Sequence, residues 1–451
     1  MGSAPSYVVL DRVVHLDKEA VKEESEWAIM ECRDRKTYLR NDHVGDEVVY
    51  GLSLLAQIAE PPDLSKLSIR LSEPPPVQVA ARPEEILDDG SSVLDLPKRA
   101  LNLHTSVQSV ADDLIVFTSC LRNRTHRYLV YDAIGKSLSM IPCLPNRCDP
   151  SATFQPLPLR AGAGGDYTIA LLGRDMRSDR ETTRRFFQDA LPVSAAAILE
   201  TSTAILLLRC HHANPLFPPE TPNRFEAHMV FSSGGQAFWA NLAQSVLYCS
   251  CHDVLTGGYD VPFRYIPLPP ECHLDPMKNH LRLCRTMNCV KDSIKFASID
   301  MVPPDPDEAM MTTWTLTLAT RQWHKDGELR VASLWELEAF KKAGLPKVKP
   351  TSPVLSMEEN GVICFILNAA EEGVYMVSLN MHTKNIMSST RLSSCPTQPL
   401  GVEFPKDIQN PVPPKRDRAD LEECSTAIKR STGMEGLEAD VLWCWSRPHL
   451  Q

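Results

Sequence analysis

The chain has 451 residues, 43% of them hydrophobic and 23% charged, with a formal net charge of -10. That acidic balance excludes broad nucleic-acid binding, which needs a basic face. The apolar fraction is ample for a packed core, and the length allows two or three ordinary domains or one large repeat domain.

Tyr7–Leu10 and Arg12–Leu16 form a plausible opening strand, and Asp17–Ser25 is charged surface. No basic start followed by a long apolar stretch precedes them, so no secretory leader is expected. Gly2 with Ser6 fits the minimal myristoylation pattern, but no polybasic patch follows, and a plain N-terminus is the reading. Val48–Ile58 and Ser68–Leu71 are further strand candidates. Glu73–Ser92 reads as long loops over a weak strand, Val77–Val79.

From His104 the organisation sharpens. Val107–Val110, Leu114–Phe117, Arg127–Tyr131 and Ser137–Ile141 are four short runs ending in Ile-Pro-Cys-Leu-Pro. The same plan returns at Met229–Phe231, Ala237–Trp239, Val246–Cys249 and Phe263–Ile266, which end in Pro267-Leu268-Pro269. It returns again at Pro353–Met357, Val362–Leu367, Gly373–Leu379 and Lys384–Ser388. Short apolar runs bounded by Gly and Pro predict antiparallel meanders of four strands, each the size of one propeller blade. Ser232-Ser233-Gly234-Gly235 and Asn360-Gly361 are hairpin turn signals.

Weaker copies fit between these three. Asp166–Leu172 with Ala195–Arg209 is one; Leu283–Ile299 with Met311–Ala319 and Leu329–Leu334 is the other. An irregular N-terminal unit completes about six units, with seven the alternative, at about 60 residues each against the roughly 40–50 of named propeller repeats. Arg174–Asp189 is then an insertion, and Trp335–Lys342 a short helix. The fold expected is all-β: a single irregular β-propeller over residues 1–398, a Pro-rich linker over 399–417 and a helical tail over 418–451. Leu421, Cys424, Ala427 and Ile428 share one face of that tail, with Gly433 as its stop.

Ser6-Tyr7-Val8-Val9-Leu10-Asp11, Ala237-Phe238-Trp239-Ala240-Asn241-Leu242, Tyr265-Ile266-Pro267-Leu268-Pro269 and Leu329-Arg330-Val331-Ala332-Ser333-Leu334-Trp335 carry a resemblance. In that order they are similar to the plant domain-of-unknown-function 1618 family, which is expanded in grasses. More distantly the chain resembles the F-box-associated propeller-like domains, although no Leu-Pro helical module stands before its first strand. The resemblance implies a fold and no established activity.

The chemistry-bearing groups read as structural. Cys210-His211-His212, Cys249-Ser250-Cys251-His252, Cys272-His273 and Cys284 with Cys289 lack the paired spacing of a zinc site, and the 14 cysteines read as reduced thiols. His252 and Asp253, adjacent on an expected strand, would point to opposite faces. Gly162–Gly165 lacks the phosphate-loop lysine. Asp305, Asp307 and Glu308 lack calcium-loop spacing. The sequon at Asn123 reads as chance and Pro413–Arg418 as solvated linker. Trp239, Trp314 and Trp335 are assigned to the structural core, and Trp323 to a blade rather than to a ligand cage. Ala195–Leu208, broken by Glu200, is too short to span a bilayer.

The reading is therefore a soluble intracellular protein-interaction scaffold, cytoplasmic or nuclear, with no catalytic residues, cofactor or metal. Its partner is a protein of unspecified identity, not nucleic acid or membrane. The alternatives are a hydrolase or lyase with a polar site at the propeller channel, and a substrate receptor for a ubiquitin ligase supplied in trans.

Overall fold

The structure, a computed structural model, describes residues 7–16, 27–38, 49–71, 104–111, 113–120, 126–142, 155–161, 166–173, 203–209, 225–256, 261–274, 281–300 and 308–404. The chain divides into two compact units, Met1–Pro411 and Val412–Gln451. The second unit, with the expected tail helix and the basic run at 413–418, lies outside the described residues. So do Val77–Val79, Asn123, Gly162–Gly165, Arg174–Asp189, Cys210–His212, Asp305 and Asp307.

The first unit is built almost wholly of strands. β1 (Tyr7–Leu16), β2 (Ala28–Met30), β3 (Asp34–Thr37), β4 (Leu52–Gln57) and β5 (Leu64–Leu71) open it. β6 (His104–Ala111), β7 (Leu114–Cys120), β8 (His126–Asp132) and β9 (Ser137–Pro142) follow as an antiparallel meander. Next come β10 (Leu157–Arg160), β11 (Tyr167–Gly173) and β12 (Thr203–Arg209), with β11 and β12 parallel. β13 (Met229–Ser233), β14 (Gln236–Asn241), β15 (Ser245–Ser250) and β16 (Arg264–Pro267) make a second four-strand meander. β17 (Arg285–Val290), β18 (Ser293–Asp300), β19 (Met310–Thr317) and β20 (Gln322–Arg330) make a third. β21 (Pro350–Leu355), β22 (Val362–Ala369), β23 (Gly373–Asn380) and β24 (Asn385–Leu392) make a fourth, and β25 (Leu400–Glu403) ends the described chain.

These strands group into six sheets. Sheet I runs β25-β1-β5-β4-β2, and sheet II runs β6-β7-β8-β9-β3, with Val13–Ser106 the single strand-pairing position between them. Sheets III, IV, V and VI are β10–β12, β13–β16, β17–β20 and β21–β24. Their first strands contact one another in order, β6 to β10, β10 to β13, β13 to β17 and β17 to β21. β21 then touches β25, and β25 touches β6. The six sheets therefore close a ring, an all-β propeller-like fold in which the innermost strand of sheet I comes from the far end of the unit.

Strand alternation explains why the ring holds. Side chains at i and i+2 share a face, so a blade buried on both sides needs apolar residues at nearly every position. In β7, Ile115 and Phe117 pack with sheet I, while Leu114 and Val116 pack with sheet III. In β14, Ala237 and Trp239 face sheet III, while Phe238 and Ala240 face sheet V. In β22, Ile363, Phe365 and Leu367 face sheet V, and Cys364 and Ile366 face sheet I. Six inter-sheet cores follow in cyclic order, the last joining Tyr7 and Val9 to Val354, Ile366 and Met376. The turn between β13 and β14 places Gly234 and Gly235 at φ +55° and +73°, the paired left-handed conformation of a tight hairpin.

Several expectations are corrected. Of the expected run Leu329–Leu334 only Leu329 and Arg330 are strand, as the end of the polar segment Gln322–Arg330 that takes the outer edge of sheet V. A helix then spans Val331–Glu336 and another Glu338–Lys342, in place of one helix over Trp335–Lys342. Leu400–Glu403, expected as linker, pairs antiparallel with β1 from Tyr7–Glu403 to Leu10–Leu400. β15 stops at Ser250, and Cys251–Thr256 is a helix, so Cys251, His252 and Asp253 are not on a strand. Among the described residues, no helix is long and apolar enough to cross a membrane.

Candidate functional site

The buried charges divide into two kinds, those that stitch sheets together and those that do not. Arg285 is fully enclosed and donates from Nε and Nη2 to the two carboxylate oxygens of Asp300, each at 2.8 Å. Its Nη1 donates to the carbonyls of Leu242 at 2.8 Å and Cys272 at 2.5 Å, which ties sheet V to sheet IV. Arg160 of β10 does the same for sheets III and II, donating to both oxygens of Asp132. Within sheet V, Lys295 donates to Asp326 at 3.0 Å, and these two with Thr313, Ser356 and Gly361 line a cleft about the size of one water molecule. In fork-shaped, charge-assisted pairs of this sort each guanidinium has its counter-charge within the fold.

Arg12 is of the second kind. It is 8% exposed, and its hydrogen bonds run from Nη1 to the carbonyls of Val107 at 3.4 Å and Gln108 at 3.3 Å, on the inner strand of sheet II. Its Nε is buried without a hydrogen-bond partner. Burial holds its pKa well below the usual guanidinium range, and the neighbouring charge of Arg282 pushes the same way. Arg282 sits in a short helix, Leu281–Cys284, that enters the inner strand of sheet V. Burial lowers it to about 10, with Glu226 pulling the other way.

His228 lies one residue before the inner strand of sheet IV. Burial, then the charge of Arg282, lowers its pKa to about 3. Its Nδ1 accepts the backbone N–H of Leu242 at 3.2 Å, which fixes the neutral tautomer with the proton on Nε2. Arg12, Arg282 and His228 thus reach the inner wall of the ring from three distant points of the sequence. All three present donors. Arg282 and His228 are half-buried while Arg12 is buried, so the group runs from solvent into the wall.

The residues singled out from the sequence do not meet. Trp239 is fully buried in the core between sheets III and IV, edge-on to Phe263 with ring centroids 5.7 Å apart. Trp314 lies in the core between sheets IV and V, its ring 4.9 Å beneath the Lys325 ammonium. Trp335 is half-buried against the core between sheets V and VI, and its Nε1 donates to the Val348 carbonyl at 3.4 Å. Trp323 donates to the Pro267 carbonyl at 2.9 Å. Among the described residues, none of Cys32, Cys249, Cys251, Cys272, Cys284, Cys289, Cys364 and Cys395 is in a disulfide, and no three metal-ligating side chains converge. Burial raises Cys32, Cys272 and Cys364 to about 11, so all three are protonated at neutral pH.

No curated protein matches the chain. Solved structures with a similar trace include apo AztD from Citrobacter koseri, at 10% identity and TM-score 0.29 over 87% of this chain and 89% of that one. TolB from Acinetobacter baumannii aligns at 8% identity and TM-score 0.24, over 82% and 87%. A post-proline cleaving enzyme from Rickettsia typhi aligns at 12% identity and TM-score 0.25, over 77% of this chain and 36% of that one. Scores this low carry no functional comparison. Residues 239–364 match the family described as Protein of unknown function (DUF1618).

Proposed function

We propose that the chain is a protein-interaction scaffold acting inside the cell, with the closed ring as a rigid platform. The observation that carries this reading is the use made of buried charge. Arg285–Asp300 and Arg160–Asp132 lock neighbouring sheets together instead of lining a reaction site. Outer strands such as β24, whose side chains alternate between half-buried and exposed, then offer solvent-facing surface on a frame that does not deform. In this reading β25 belongs to the ring, and a Pro-rich linker and a helical tail follow it.

The second reading, a channel enzyme, is favoured by Arg12, Arg282 and His228 at the inner wall. The tautomer of His228 weighs against it, because a ring whose Nδ1 already accepts a backbone N–H offers no general base. Affinity capture of the tagged full chain from native tissue, followed by rebinding of each purified candidate, tests the scaffold reading. A partner that rebinds at equal stoichiometry is expected. Failure of every candidate to rebind, together with turnover of ester or glycoside substrates, would overturn it.

A further inference from the structure

We propose that Arg12, Arg282 and His228 form a binding site for a small oxyanion, phosphate or carboxylate, at the inner wall of the ring. The site does not depend on whether the ring is a scaffold or an enzyme.

The argument starts from Arg12. A guanidinium removed from water is costly unless a carboxylate and good hydrogen bonds replace its hydration. Arg285 and Arg160 meet that condition with Asp300 and Asp132. Arg12 does not. It has two long carbonyl bonds, an Nε with none, and among the described residues no carboxylate is paired with it. The adjacent Asp11 accepts the backbone N–H of Val13 at 3.1 Å. The like charge of Arg282 acts on Arg12 and raises the cost further.

An anion resolves all of this together. It would supply the missing counter-charge for Arg12, relieve the repulsion from Arg282, and accept from the Nε2–H of His228. Guanidinium forks match carboxylate and phosphate oxygens, and the neutral imidazole adds a donor without adding charge. Glu226, which already offsets Arg282, stands on the solvent side and would disfavour anions with a second bulky negative group.

The test is thermal unfolding of the full chain in millimolar inorganic phosphate, or in acetate, against chloride at equal ionic strength. Phosphate stabilises many proteins by exclusion from their surface, so the readout is the difference between wild type and variant. At least one of the two anions should raise the wild-type midpoint, and the one that does identifies the chemistry. Arg12→Met should abolish the rise while leaving the midpoint in chloride unchanged or higher, because an unpaired buried charge has been removed. A guanidinium that merely staples Val107 and Gln108 predicts the opposite, a lower midpoint in chloride. Arg282→Gln should raise the half-saturating anion concentration about tenfold or more, the value of one charge-assisted hydrogen bond. A wild-type rise in neither anion, or an equal rise in Arg12→Met, would overturn the proposal. If Arg12→Met does not fold, Arg282→Gln decides: an unchanged half-saturation there overturns it equally.

Discussion

Trp239 and His228 lie eleven positions apart, separated by a hairpin, yet they answer to different physics. Trp239 is enclosed on all sides, and its Nε1 has no hydrogen-bond partner, so its role is bulk and shape. Trp239→Ala is expected to cost about 3–5 kcal/mol, against a total domain stability of about 5–15 kcal/mol. Trp239→Phe should cost much less, because it keeps most of the apolar volume and removes the unpaired N–H. Thermal midpoints of the two variants beside wild type check this, and a binding role would instead leave the alanine midpoint unshifted. His228 predicts a pH effect. Its unfolded pKa is near 6.5 and its folded value about 3, so between those values the unfolded chain holds more protons. Stability from this residue is therefore intact above pH 6.5 and is lost as pH falls toward 3. The wild type should lose more midpoint between pH 7 and pH 5 than His228→Gln, which removes the titration; equal losses would mean the ring is not held neutral by burial.

At the scale of elements, the seams decide. Asp300→Ala leaves Arg285 enclosed and uncompensated between sheets IV and V, a loss of about 3–5 kcal/mol. The double change Arg285→Met with Asp300→Leu should recover most of it, since paired removal takes away both desolvated charges. Denaturant midpoints of the single and double variants make the comparison. The same elements show what the sequence could convey. β7, β14 and β22 are apolar on both faces because both are covered, so they stand out as short dense runs. β3, Asp-Arg-Lys-Thr, is an outer strand with nothing apolar to read, and β10 is only four residues with a proline. β20 alternates weakly because it faces solvent, and the apolar residues after it, Val331 and Leu334, belong to a helix. Arg12 and Arg282 escaped for another reason. Their meeting is made by ring closure, and no local spacing announces it, although Asp11-Arg12 within an otherwise apolar strand was the one available hint.

For the whole molecule the question is what closes the ring. Sheets III to VI are each made from consecutive strands, and sheet II from β6 to β9 with β3 added at its outer edge, so the unit would otherwise end as an open arc. β25 supplies the closure by pairing with β1 over Tyr7–Leu10, while Asn288 donates to the Gly401 carbonyl at 3.0 Å and Tyr7 donates to the Leu355 carbonyl at 3.1 Å. Leu400, Val402 and Phe404 are buried in the core shared by sheets I and II. At about 1.5–3 kcal/mol for each buried side chain, these three contribute about 5–9 kcal/mol, comparable to the whole stability of a domain. A chain ending at Gln398 should therefore be unstable or aggregate, because it keeps every sheet but exposes the inner edge of sheet I. A chain ending at Pro411 should unfold as cooperatively as the same unit within the full chain. Urea unfolding of the two truncations distinguishes the cases. Closely matched midpoints would mean that sheets VI and I hold together without the strand between them, and that closure by β25 is incidental to the fold.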